Sequence, residues 1–175
     1  MHKINAMKIM LFILFLTVSS SIFSQSYNQK TTDEKTGNEI LISYCNRQAL
    51  NLSSFNEWFD PEYKSYQPNQ DIINQLSPFL SEAMQIVIIF GTWCGDSKEQ
   101  VPRFFKITDA LNISMDMIEM IAVDRKKLAP GVDLSSYNID KVPTFVIFKD
   151  GKEIGRIIET PTTTLESDLL NILKK

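Results

Sequence analysis

The chain has 175 residues, 43 % of them hydrophobic and 22 % charged, an ordinary globular composition with room for one domain and an extension. A net charge of −3 supplies no basic field for nucleic acid or an anionic membrane surface. The single histidine, His2, stands at the extreme N-terminus, so a histidine triad or histidine metal site is excluded from the folded domain. Two cysteines do not close a zinc site without other ligands, and no metal or cofactor is expected.

His2, Lys3 and Lys8 precede an uncharged apolar run, Ile9 to Val18, followed by Ser19, Ser20, Ser21 and Ser24. As a helix that run spans roughly 15 Å, about half of a bilayer core. The layout is that of a secretory signal peptide over residues 1–24, cleaved after Ser24; an uncleaved anchor or a buried helix are the other readings. No cysteine follows the run closely, which argues against a lipid anchor. Cleavage removes Lys3 and Lys8, leaving a mature net charge of −5 and no stable membrane insertion. Export to the periplasm or beyond puts Cys45 and Cys94 where disulfides persist.

Residues 25–38 are polar and read as a flexible mature N-terminus. Residues 39–83 read as a helical and aromatic extension. In it Ile40, Leu41, Tyr44 and Cys45 follow helical spacing, and Phe55, Trp58, Phe59, Tyr63 and Tyr66 form a satellite core. Asp71 to Met84 carries a helical stripe, with Asp71 as N-cap and Pro78 as a break. Gln85 to Phe90 (QIVIIF) reads as a strand buried on both faces. Ser97 to Leu111 fits a helix, Met115 to Val123 a second strand, and residues 124–138 a loop. Thr144 to Phe148 is a strand, and the Asp150-Gly151 pair turns it into a partner, Glu153 to Ile158. Thr164 to Leu173 closes the chain as an amphipathic helix. This order describes an α/β layer structure over residues 84–175, its first two strands joined by a right-handed crossover.

Gly91-Thr92-Trp93-Cys94-Gly95-Asp96-Ser97 stands where the buried strand gives way to a helix. The unpaired N–H groups and positive dipole end of that helix favour a thiolate, the nucleophile of disulfide exchange. Cysteines in such turns are also found inert, so position alone does not decide. The wider pattern resembles the thioredoxin family. Trp-Cys-Gly follows a β-run, Pro102 lies eight residues past the cysteine, and Val142-Pro143-Thr144-Phe145 precedes a strand and an Asp-Gly hairpin. The resemblance covers Gln85 to Leu173, and is closest to a bacterial thioredoxin-like group with Trp-Cys-Gly-Asp and Val-Pro-Arg, here Val101-Pro102-Arg103.

That resemblance implies a thioredoxin fold, a mixed central sheet flanked by helices, behind an N-terminal helical extension. It implies Cys94 as the exposed attacking thiol, Pro102 as the proline that kinks the first active-site helix, and Pro143 as a cis-proline beside the thiol. Val142 would then offer its backbone to an extended client segment. On the residues alone, Pro143 reads as a trans-proline opening an edge strand. Trp93 flanks the thiol as a contact surface.

Three departures from the family bear on mechanism. Ser97 stands where a second, resolving cysteine is usual, and serine cannot release a mixed disulfide; its hydroxyl can only donate to the thiolate. Gly95 and Asp96 are the modulating positions inside the motif, the Asp96 carboxylate opposing the helix dipole. Ile88 stands where many members carry a buried acid. Cys45 is either a buried small hydrophobe or a resolving partner for Cys94, the latter requiring Cα atoms within about 7 Å. Asp124-Arg125-Lys126-Lys127 is either a solvated loop or a basic group that favours the thiolate. The function expected is monothiol thiol–disulfide exchange, of reductase or isomerase type, on exported proteins or small-molecule thiols and disulfides. The alternatives are a non-catalytic peptide-binding module and a Cys45–Cys94 redox pair.

Overall fold

The apolar run before Gly91 occupies the middle of the sheet, where both of its faces are covered. The computed structural model describes residues 27–175. Its strands are β1 (Gln29–Thr32), β2 (Glu39–Cys45), β3 (Met84–Phe90), β4 (Ile118–Ala122), β5 (Thr144–Lys149) and β6 (Lys152–Ile158). Its helices are α1 (Ser53–Ser65), α2 (Gln70–Leu76), α3 (Gly95–Ala110) and α4 (Leu165–Leu173). The sheet order is β1-β2-β4-β3-β5-β6. β3 and β4 run parallel with α3 between them in sequence, and the other neighbours pair antiparallel. This is a thioredoxin fold.

Alternation along β3 sends Ile86, Ile88 and Phe90 to one face and Val87 and Ile89 to the other. The first face carries the helices: Phe59 of α1, Leu76 of α2, Phe104 and Phe105 of α3 and Leu169 of α4 share one core. Phe104 stacks on Phe145 with ring centroids 4.4 Å apart. The second face is covered by the segment after β4, through Ala129, Val132, Leu134, Tyr137 and Ile139. Cys94 lies at the rim of this thinner layer.

Polar ties lock the helical layer. Glu166 is 2 % exposed and accepts from Tyr66 Oη (2.7 Å) and Asn69 N (3.0 Å), joining α4 to the α1–α2 connection. Arg47 forks onto Asp109 at 2.7 and 2.8 Å, and Tyr63 Oη donates to the same carboxylate. Such a buried or two-pronged carboxylate needs its full set of donors to offset lost hydration.

The first part of the chain departs from the sequence expectation. Residues 39–45 are a strand, not a helix. Ile40, Leu41 and Ile42 are consecutive and all buried, because β2 lies between β1 and β4; a short apolar run fits either period. Residues 29–32, expected to be flexible, form the edge strand β1, which pairs with β2 through its backbone although all four side chains are exposed. The N-cap of α2 is Asn69, whose side chain accepts from Asp71 N and Ile72 N, and not Asp71. Pro78 lies in a separate 3-10 turn, Ser77–Phe79, after α2. The expected signal segment, residues 1–24, lies outside the described residues. Among the described residues no helix is long and apolar enough to cross a membrane.

Candidate active site

Strand β3 ends at Phe90, and four residues carry the chain to the N-terminus of α3. Cys94 N donates to Gly91 O (2.9 Å), and Lys98 N makes the first helical bond, to Cys94 O (3.1 Å). Cys94 is thus the N-cap, in extended conformation, and the amides of Gly95, Asp96 and Ser97 have no carbonyl within the helix to bond. The Cys94 sulfur is half-buried against Val142 and donates to Val142 O at 3.2 Å. The Val142–Pro143 peptide bond is cis. The Val142 carbonyl accepts from the thiol, while Pro143 O accepts from Glu159 N (2.7 Å) and holds the loop onto the end of β6.

Ser97 is fully buried, and its Oγ accepts from Gly91 N (3.2 Å). The hydroxyl braces the turn that precedes the cysteine, which is a structural use the sequence reading did not assign. Gly95 is exposed and a Cβ there would meet nothing within 4 Å, so this glycine is not required for packing. Asp96 is half-buried in the first turn of α3. Pro102 lies inside α3 on its buried side, where the missing N–H leaves Lys98 O without its helical donor.

Trp93 is more constrained than an open contact surface. Its Nε1 donates to Val123 O (2.8 Å), and its ring lies so close to Gly91 that a Cβ there would sit 2.6 Å from two ring atoms. The Arg125 guanidinium covers the ring at 4.8 Å from its centroid. Arg125 is also no solvated loop residue: its Nε and Nη2 donate to the two oxygens of Asp33 at 2.7 and 2.8 Å. Beside Trp93 opens a cleft of about 420 Å³, lined by Asp33, Thr36, Trp58, Thr92, Lys98 and Arg125. A larger hollow of about 820 Å³ lies at the other end of the sheet near Met115, Glu119 and Tyr137, and Cys94 does not line it.

Cys45 is not brought to Cys94. It is 3 % exposed in the helix-side core, opposite Met120, and its sulfur donates weakly to Met120 O at 3.9 Å. Cys94 packs on the other face of the sheet, and both thiols are free. Burial pushes the Cys45 thiol up to about 12, so it behaves as an inert small hydrophobe. The reading of Cys45 as a resolving partner is overturned by strand β2, which fixes its side chain on the wrong side. Among the described residues no three His, Cys, Asp or Glu side chains are grouped as a metal site would need.

Two site residues were missed in the sequence. Thr92 is 4 % exposed and its Oγ1 accepts from Leu41 N (3.1 Å), which joins β2 to the active-site turn. Asp33, in a segment read as flexible, is 2 % exposed beneath Arg125. Their place at the site depends on contacts between segments more than fifty positions apart, although Asp33 also accepts locally from Thr36 Oγ1 in the hairpin turn.

Comparison with known proteins gives the family. The family model described as "Thioredoxin" matches residues 69–173. A chloroplastic thioredoxin Y of Oryza sativa subsp. japonica is 33 % identical over 76 residues, which are 43 % of this chain and 42 % of that one. A thioredoxin of Mycoplasma genitalium is 29 % identical over 100 residues, 57 % of this chain and 92 % of that one. The match thus spans about two-fifths of the length of the chloroplastic relatives. A crystal structure of a protein of unknown function from Pseudomonas aeruginosa superposes with a TM-score of 0.53 at 11 % identity, over 70 % of this chain and 86 % of that one. With the model match covering more than half of its residues, the chain belongs to the thioredoxin family.

Proposed function

We propose that this protein carries out thiol–disulfide exchange through Cys94 alone. The observation that carries the reading is the Cys94 sulfur at the N-terminus of α3, 3.2 Å from Val142 O beside the cis peptide bond, with Ser97 in place of a second thiol. The Cys94 thiolate attacks one sulfur of a client disulfide. A mixed disulfide forms, and the other client sulfur leaves as thiolate. Release requires a second thiol from the client or from a small molecule, which attacks the mixed disulfide and returns Cys94 as thiolate. An isomerase needs only this attack and return. The Val142 backbone and Trp93 would hold the client segment, and the Ser97 hydroxyl proton, unused in the bond from Gly91, is free to donate to the thiolate.

The layout of residues 1–24 supports export to the periplasm or beyond, where disulfide clients occur. Intact mass of the protein recovered from its cell envelope, with residues 1–24 absent, tests that. Activity is tested by alkylation and capture. Cys94 should react rapidly with iodoacetamide below pH 8, and Cys94→Ala should abolish mixed-disulfide capture of a disulfide peptide. Slow alkylation in the folded protein would remove the reading. A binding module without redox chemistry is the second reading, favoured by Ser97 and Ile88 at the usual thiol and acid positions. Peptide binding unchanged in Cys94→Ala would support it.

A further inference from the structure

The reaction described above makes no use of the Asp33–Arg125 pair, which abuts its site at Trp93. Asp33 closes the β1–β2 hairpin turn. It is 2 % exposed, yet it accepts from Arg125 Nε and Nη2 and from Thr36 Oγ1 (2.6 Å). A carboxylate so buried stays charged only because those donors replace its water. Arg125 in turn covers the Trp93 ring, which is held from three sides by Val123 O, the Gly91 backbone and this guanidinium. The hairpin lies outside residues 69–173, the segment matched to the family. The hairpin, outside that segment, is joined through Arg125 to the turn that carries Cys94.

We propose that Arg125, held in place by Asp33, is a positioning residue of the Cys94 site: it fixes Trp93 on the active-site turn and sets a permanent positive charge over that ring, one residue before the thiol. The inference rests on the reading of Cys94 as the nucleophile. Arg125 is held above its ordinary range first by the Asp33 hydrogen bonds and, in smaller part, by the charge of Cys94. The other charged groups on the elements around the sulfur are Asp96, Lys98 and Glu99 at the start of α3, Asp124, Lys126 and Lys127 after β4, and Asp140 and Lys141 before the cis bond. Lys141 is occupied by Glu159 and by its attraction to Asp96. Arg125 is the cation anchored by a two-pronged bond to a buried acid, so its position is set by the fold and not by the client.

The test is the pH profile of Cys94 alkylation in the whole chain, with products counted by intact mass. The double variant Asp33→Asn with Arg125→Met removes both charges without stranding a buried carboxylate. It should melt cooperatively, shift the profile to higher pH, and react at pH 7 at least about threefold more slowly. Arg125→Lys keeps the charge and an ion pair but loses the guanidinium contact with the ring. It should leave the profile in place and raise acrylamide quenching of Trp93, read in a Trp58→Phe background. An unchanged profile in the folded double variant, or unchanged quenching in Arg125→Lys, overturns the proposal. Slow alkylation of the unsubstituted chain would instead overturn the assignment of Cys94 itself.

Discussion

The sulfur of Cys94 and the carbonyl oxygen of Val142 stand 3.2 Å apart, across 48 positions of sequence. This contact joins the N-terminus of α3 to the loop that enters β5, so one thiol and one backbone acceptor face the same approach path. Ser97 stands where a second thiol would, and its oxygen accepts from Gly91 N. On the proposed function the site attacks through Cys94 and has no second thiol at position 97 to release what it captures.

Ser97→Cys should supply that release. The new thiol lies one helical turn from Cys94, and air oxidation should then give an internal disulfide, seen as a loss of 2 Da (two hydrogens) in the intact mass. Trapped mixed disulfides should fall correspondingly in peptide-capture assays. Sulfur is a weak acceptor, so Gly91 N loses part of its bond and stability should drop by about 1 kcal/mol in urea melts. A mixed disulfide as long-lived as in the parent would show that the two side chains do not meet.

Gly91→Ala tests how tightly the turn is packed. Its Cβ would lie 2.6 Å from the Trp93 indole, a distance that forces the ring or the backbone to move. The expected cost is about 1–3 kcal/mol, with a change in Trp93 emission and faster acrylamide quenching. The ring cannot shift freely, because Val123 O and Arg125 hold it. Unchanged stability would mean that this contact relaxes without resistance.

Cys45 should be silent to iodoacetamide at pH 8 in the folded chain and react only after unfolding. Burial raises its thiol from 9.0 to about 12. The folded state therefore keeps a proton that the unfolded chain loses above pH 9. The contribution of Cys45 is full below pH 9 and is lost as pH rises toward 12. Urea midpoints at pH 8 and pH 10.5 should differ more in the parent than in Cys45→Ala.

Asp33 should mark the acid side. The hydrogen bonds from Arg125 and Thr36 hold its carboxyl far below the ordinary 3.8. Its contribution is present above that ordinary value and is lost as pH falls through and below it, because the unfolded chain takes up the proton first. Asp33→Asn should be less stable than the parent at pH 7, and the difference should shrink between pH 4 and pH 2. A constant difference across that range would exclude a charged Asp33 as the cause.

Residues 85 to 175 were legible because their signals are local. QIVIIF before Gly91, the Asp150-Gly151 turn and the stripe of the last helix each report a period or a dihedral requirement that neighbouring residues satisfy among themselves. The position of Cys94 at a strand-to-helix junction follows from the same signals, as does the absence of a second thiol at Ser97. Residues 27–45 were not legible in this way. Lys30 and Thr31 have no apolar face to display, and Ile40-Leu41-Ile42 fits a helix or a strand. Pairing with β1 and β4 makes β2 a strand, and the β4 pairing decides which face Cys45 occupies. It also carries Asp33 to Arg125 and Leu41 to Thr92. The place of Cys94 at the strand-to-helix turn, with a serine at position 97, was thus determined by sequence, through local chemistry. What surrounds it, and that Cys45 cannot reach it, was decided by tertiary structure, because hydrogen bonds across the sheet depend on residues distant in the chain.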